Sequence, residues 1–345
     1  MRALRYTTFG ASPQVVDVDR PAPGPGQVLV QVRAAGLCHT DIGVLSFPQE
    51  VLDAWRITLP ATLGHETAGT VVALGEGVTG LEVGTNVAVY GAWGCGNCVQ
   101  CARGEENLCE RRDELGLTYA GLGSDGGMAE YMVVDDARHL VPIGDLDPAV
   151  AAVLPDAGIT SYRAIVRSLP KLVAGSTVLV IGVGGLGHVA IQLLKALSAA
   201  TVVALDTSEA KLQLARECGA DVVLDAGTDV PARVRELTGL GAHVVLDFVG
   251  SGSTTEVAER CVRQGGDISV VGVGGGAASA SMAGPPEVTV RTIYWGSRSD
   301  LVDVVELARK GVIGPRLQRY PLEDARTAFD DLAAGRVQGR AVLMP

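Results

Sequence analysis

Two hydrophobic rhythms divide this chain near Pro155. Before that point, apolar positions come in short runs, QVLVQVRAAG, GTVVALG, NVAVYG and AEYMVV, separated by PAPGPG, GEGVTG and GSDGG. Short strands punctuated by glycine and proline predict a partly closed β-barrel or sandwich. From Ser176 to about Val273, fully apolar runs alternate with amphipathic stretches. TVLVIG (177–182), TVVALD (201–206), DVVLD (221–225), HVVLDFVG (243–250) and DISVVGV (267–273) read as strands. LGHVAIQLLKALSA, SEAKLQLAREC, VRELTG and TTEVAERCVR read as the helices between them. Strands that are apolar along their whole length belong to a parallel sheet covered on both faces, so this half is a doubly wound α/β domain. After Gly296 come two helical patterns, LVDVVELARKG and DARTAFDDLAAG, and a final strand, RAVLMP. The parallel sheet is complete without them, so the tail is expected to rejoin the first domain. The expected domains are 1–154 with 296–345, and 155–295. The glycine-rich segment 272–284 is expected to be a mobile loop near their junction.

Composition narrows the function. A chain of 345 residues exceeds what one core usually supports. A net charge of −11 with no dense Lys/Arg cluster argues against nucleic acid or an anionic membrane as partner. No apolar run is expected to reach the roughly 18 residues of a membrane span, and MRALRYTTFGASP lacks a secretory h-region. The expected location is the reducing cytoplasm, where thiols favour metal over disulfides.

Four of the seven cysteines lie in GCGNCVQCARGEENLC: Cys95, Cys98, Cys101 and Cys109. Four thiolates can close a tetrahedron around zinc and leave no position open, which predicts a structural site in a lobe at 93–112. A disulfide lobe and an iron–sulfur cluster are the alternatives. Cys218 and Cys261 fall in helical patterns and read as buried apolar residues.

Gly182-Val183-Gly184-Gly185-Leu186-Gly187 fits G-x-G-x-x-G between a strand and a helix. In that setting the glycines serve a tight turn, backbone approach to a pyrophosphate, and close helix–strand packing. The helix N-terminus offers free N–H groups to the phosphates. Asp206 ends the next strand, 19 residues past Gly187, placed for the adenosine ribose hydroxyls. It would repel a 2′-phosphate, and Thr207 and Ser208 supply no arginine to bind one, so NAD is expected over NADP. Lys211 is a second candidate for the ribose, or a solvated helix lysine.

Cys38-His39-Thr40-Asp41, Gly64-His65-Glu66-Thr67-Ala68-Gly69 and Pro155-Asp156-Ala157-Gly158 are each unremarkable alone, and spacing cannot join them. Together with the cysteine lobe and GVGGLG plus Asp206, in this order over essentially the whole chain, they resemble the zinc-dependent medium-chain alcohol dehydrogenases. The likeness is closest to bacterial NAD-dependent secondary alcohol dehydrogenases, through VYGAWGCGNCVQCARGEENLC, GSDGGMAEYMVVD, RHLVPIGDLDP and YWGSRS.

That resemblance implies a GroES-like barrel catalytic domain beside a Rossmann domain, and two zinc ions per chain. Cys38, His65 and Asp156 would hold the catalytic ion, with Glu66 behind it. Hydride would pass between a secondary alcohol or ketone and NAD, and the proton would leave through Thr40 and His39. Val249, Val271, Gly272, Trp295 and Gly296 would line the cofactor, and Arg340 would pair with its phosphate unless it is a solvated terminal arginine. Trp55, Tyr119, Tyr294 and Trp295 are candidates for an apolar substrate pocket between the domains, or for plain core. The apolar strand around 288–296 offers an edge to a second subunit, implying a dimer or tetramer. Competing readings are a polyol, allylic, primary alcohol or aldehyde dehydrogenase on the same scaffold, and a non-catalytic NAD-binding zinc protein.

Overall fold

A computed structural model describes the chain from Met1 to Pro345 apart from Phe9, Phe47, Trp55, Leu117, Ala280 and Ala283. It separates into two units, one of 1–159, 296–311 and 315–345, the other of 160–295 and 312–314. The first boundary falls after Ile159 rather than after 154. The π-helical turn Leu154–Gly158 stays with the first unit because it packs on the helix Arg298–Arg309 and on the strand Glu66–Leu74.

In the first unit the strand Val28–Leu37 is the hub. It pairs antiparallel with Glu66–Leu74, Tyr131–Val134 and the last strand, Arg340–Met344, within a seven-stranded sheet. Its buried pattern covers both faces, as a strand wrapped by a barrel requires. Arg340–Met344 also runs parallel to Leu317–Pro321, a strand whose polar sequence, LQRYP, hides it from pattern reading. The first helices, His39–Ser46 and Gln49–Ala54, were likewise not predicted.

Pro148–Val166 is long and apolar enough to span a membrane by length and hydropathy, against the expectation of no such segment, but 78% of it is buried inside the fold. Asp147 caps its start by accepting the Ala149 N–H, and its first part packs on Val28–Leu37 and Glu66–Leu74. It is a core helix.

The second unit holds a six-stranded parallel sheet. Its order is Val222–Asp225, Thr201–Asp206, Thr177–Ile181, Ala242–Asp247, Val262–Val270 and Thr289–Thr292, the doubly wound arrangement. Leu179, Ile181, Val203, Leu205, Val245 and Ile268 fill its core. Val262–Val270 starts five residues before the DISVVGV run, because Val262 pairs with Ala242 ahead of a register shift. The start of the glycine-rich segment is tied to the preceding strand's turn. Gly274 donates to the Val249 carbonyl at 3.1 Å and Gly276 to that of Gly250 at 2.7 Å.

Candidate metal and dinucleotide sites

Strand register assembles the first metal cluster. Gly36 pairs with Glu66, and Ala341 with Leu37, so Glu66, Cys38 and Arg340 meet at one end of the barrel sheet. A side chain at Gly36 would collide with the Glu66 carboxylate. The π-helical turn brings Asp156 to the same place. Cys38, His65, Glu66 and Asp156 offer ligand atoms within 4.8 Å of one another. Cys38 Sγ lies 3.4 Å and His65 Nε2 3.8 Å from Asp156 Oδ2. Zinc bonds of about 2.0–2.3 Å make tetrahedral edges of roughly 3.3–3.8 Å, so the donor set fits that ion.

The surroundings fix the ligands. Asp41 is wholly buried; its Oδ2 accepts the Cys38 N–H at 2.8 Å, and its Oδ1 lies 3.2 Å from His65 Nδ1. That leaves Nε2 of His65 for metal, as a carboxylate behind a histidine ligand does elsewhere. Burial opposes a charged imidazole at His65, but Asp41, Asp156 and Cys38 raise its pKa well above 6.5. Burial lifts the Glu66 carboxyl to about 8 against the pull of Arg340, while Asp156, also resisted by burial, is held low by His65 and Arg340. A thiol and two carboxylates crowded out of water call for cationic charge.

Part of that charge comes from Arg340, which is buried rather than a solvated terminal arginine. Its guanidinium is buried and donates to Glu66 Oε2 at 3.0 Å, to Glu66 Oε1, and to Asp156 Oδ2 at 2.9 Å. These contacts tie it to the two acids of the metal cluster. Sequence reasoning also missed Asp41. Its signal was the C-x-x-D spacing at a helix start, where the acidic side chain reaches back to the cap N–H as in a capping box.

Thr40 is half-buried with Oγ1 3.6 Å from Cys38 Sγ, and His39 is exposed beside it in the first helical turn. Tyr119 is buried in the first unit, Tyr294 is half-buried, and Trp295 is buried and edge-on to Tyr294 at 6.3 Å. Trp295 adopts φ of +57°, costly for a bulky residue. Gly296 accepts the Tyr90 hydroxyl at 2.8 Å. Trp55 lies outside the described residues.

The second metal cluster is the cysteine lobe, whose four thiols also lie within 4.8 Å of one another. Cys95 and Cys101 sulfurs are 3.8 Å apart, which matches the ~3.8 Å edge of a tetrahedron with 2.3 Å zinc–sulfur bonds. Backbone N–H groups of Cys95, Cys98 and Cys101 point at the sulfurs of Cys109, Cys95 and Cys98 at 3.3–3.4 Å. Those of Cys101 and Glu110 draw the Cys98 thiol down to about 6, whereas burial pushes Cys101 and Cys109 up.

A charged brace underlies the lobe. His139 faces Asp135 through Nδ1 at 2.6 Å and Glu106 through Nε2 at 2.9 Å, and stacks on Trp93 at 5.6 Å. Burial resists, but the two carboxylates raise the His139 pKa; despite its own burial Glu106 is drawn down to about 2 by His139, the Gly94 N–H and Arg138.

In the second unit the glycines of the motif differ in their surroundings. A Cβ at Gly187 would strike the Gly182 carbonyl at 1.9 Å, whereas one at Gly184 would meet nothing within 4 Å, leaving that backbone open. The helix Gly187–Leu197 starts there, with Gly185 and Leu186 in the turn before it. Asp206 is anchored by the Val183, Thr207 and Ser208 N–H groups at 2.8–3.1 Å. Lys211 is half-buried in the next helix, Glu209–Glu217. Val249, Val271 and Gly272 follow the ends of adjacent strands.

A barrel with a zinc-fitting cluster and a Rossmann unit with a phosphate turn define a metal-dependent dehydrogenase. Residues 24–145 match the alcohol dehydrogenase GroES-like domain family, and 185–310 the zinc-binding dehydrogenase family. The chain is 38% identical to D-arabinose 1-dehydrogenase (NADP(+)) of Saccharolobus solfataricus, covering 100% of this chain and 97% of that one. An alcohol dehydrogenase from Aeropyrum pernix superposes with a TM-score of 0.92 at 37% identity, both chains covered in full. Acetophenone reductase from Geotrichum candidum, in complex with NAD, gives 0.85 at 32%, covering 100% and 97%. The chain belongs to the zinc-dependent medium-chain alcohol dehydrogenases.

Proposed function

We propose that this enzyme interconverts secondary alcohols and ketones with NAD(H), holding two zinc ions per chain. The first unit is the catalytic domain and the second the cofactor domain. The convergence of Cys38, His65 and Asp156, three different donors with Arg340 and Asp41 behind them, carries the reading. Three protein ligands leave a fourth position for substrate, as a catalytic site requires. Bound zinc would supply a Lewis acid for the alcohol oxygen, and bound NAD the hydride acceptor.

The protein's own part is placement and proton transfer. Asp41 orients His65, and Arg340 balances Glu66 and Asp156. Thr40 takes the hydroxyl proton, which leaves by exposed His39 to water. The anchored Asp206 carboxylate disfavours a 2′-phosphate. Acetophenone reductase, acting by its name on an aryl ketone, supports the secondary-alcohol preference. The open edge of strand Thr289–Thr292 supports a homo-oligomer.

The test is steady-state oxidation of secondary, primary and aryl alcohols and of aldoses, with NAD and with NADP, and zinc counted on the same sample. Secondary alcohols and NAD should each be preferred at least tenfold in kcat/KM. A preference for aldoses with NADP, as in the name of the Saccharolobus relative, would overturn both assignments.

A further inference from the structure

Asp247 has no role in the reading above, yet the second unit is organised around it at the carboxyl edge of the sheet. It ends the strand Ala242–Asp247 and is fully buried. Its Oδ1 accepts the N–H groups of Val249 and Gly250, each at 2.9 Å. Its backbone carbonyl accepts those of Val271 at 2.8 Å and Gly272 at 3.1 Å. No donor among the described residues reaches Oδ2. Leaving a buried carboxylate oxygen unpaired costs free energy, and such groups in native folds call for an explanation.

The turn that Asp247 holds touches the phosphate-binding glycines directly. A Cβ at Gly182 would lie 2.7 Å from Val249 Cγ2, and one at Gly187 3.7 Å from Phe248 Cδ2. Phe248 also donates its N–H to the Ile181 carbonyl at 2.9 Å, next to the start of the motif. On the other side, a Cβ at Gly250 would lie 2.1 Å from the Gly272 carbonyl oxygen and one at Gly272 2.2 Å from the Val249 carbonyl carbon, so two backbones are in contact there. Val249 remains 40% exposed, although it is apolar and sits on the edge where doubly wound sheets bind ligands.

We propose that Asp247 is a positioning residue for the dinucleotide: it fixes the Val249–Gly250 turn between the glycine motif and the 271–276 segment, so that Val249 forms a rigid apolar wall for the cofactor. This rests on the dinucleotide reading above. The geometry needs one acceptor at Oδ1, which asparagine can supply and alanine cannot.

The test is fluorescence titration of the full-length, zinc-loaded enzyme with NADH, which needs no alcohol substrate, followed by kcat and KM for NAD. Asp247→Ala should raise the NADH Kd at least tenfold, with the loss in KM for NAD rather than in kcat; Asp247→Asn should stay within about threefold of wild type. An Asp247→Ala enzyme with wild-type affinity overturns the proposal, and so does an Asp247→Asn enzyme as weak as the alanine variant, because charge rather than placement would then matter. If Asp247→Ala does not fold, Val249→Ala carries the same expectation, and unchanged affinity there overturns the wall. Wild-type protein that binds neither NADH nor NADPH would sink the dinucleotide reading itself, a separate outcome.

Discussion

The two metal clusters of the first unit are built on opposite plans. The cysteine lobe takes four identical donors from fifteen consecutive positions, Cys95 to Cys109, and surrounds them with local backbone N–H groups. The other cluster takes three kinds of donor from positions as far apart as Cys38 and Asp156, and its balancing cation, Arg340, is 274 residues from Glu66. Four thiols saturate a tetrahedral site within one short lobe. The mixed set forms only when distant strands and a π-helical turn come together.

The sharpest way to break this contrast is to remove one ligand from each cluster. Asp156→Ala should cut alcohol oxidation by roughly 10³-fold or more and remove one zinc ion per chain, while NADH binding persists. Zinc content and turnover measured together decide it, and unchanged values for both would remove Asp156 from the site. Cys101→Ser should release the other ion and lower the melting temperature by about 10 °C or more, since metal binding in such lobes is folding free energy. The protein that remains folded should keep most of its kcat. Loss of turnover equal to that of Asp156→Ala would mean that the lobe is not merely structural.

Within the open cluster, Thr40→Val should reduce kcat by about 10²-fold, the scale of a lost general acid–base step, with zinc content and NADH affinity retained. An unchanged oxidation rate would exclude Thr40 from proton transfer.

The smallest expected effect concerns the brace under the lobe. His139 has a folded pKa above its ordinary 6.5, so its stabilisation is complete below about pH 6.5 and is lost as pH rises through the folded value. His139→Gln should therefore melt a few degrees lower than wild type at pH 6, with the gap narrowing as pH rises. A gap that widened with pH would show that His139 is buried neutral.

The same contrast explains what could be read in the chain beforehand. The lobe and the glycine motif were legible because their chemistry is contiguous, and the parallel strands because they are apolar throughout. Cys38, His65 and Asp156 could be joined only by family likeness, since register and a π-helical turn bring them together. The ion pairs of Arg340 were not legible because nothing in GRAVLMP reveals that its strand pairs with Val28–Leu37 and points the guanidinium at Glu66. The strand Leu317–Pro321 escaped notice because it carries alternating polar residues with little apolar content.

The late position of Arg340 has a consequence for biogenesis. Glu66 leaves the ribosome 274 residues ahead of its partner, an interval on the order of half a minute at ordinary elongation rates. During that time the second unit is made in full, while the barrel lacks the strand that flanks Val28–Leu37 and the arginine that balances its acids. The first unit must therefore wait for its own tail before its central strand is flanked on that side and its buried acids gain their arginine.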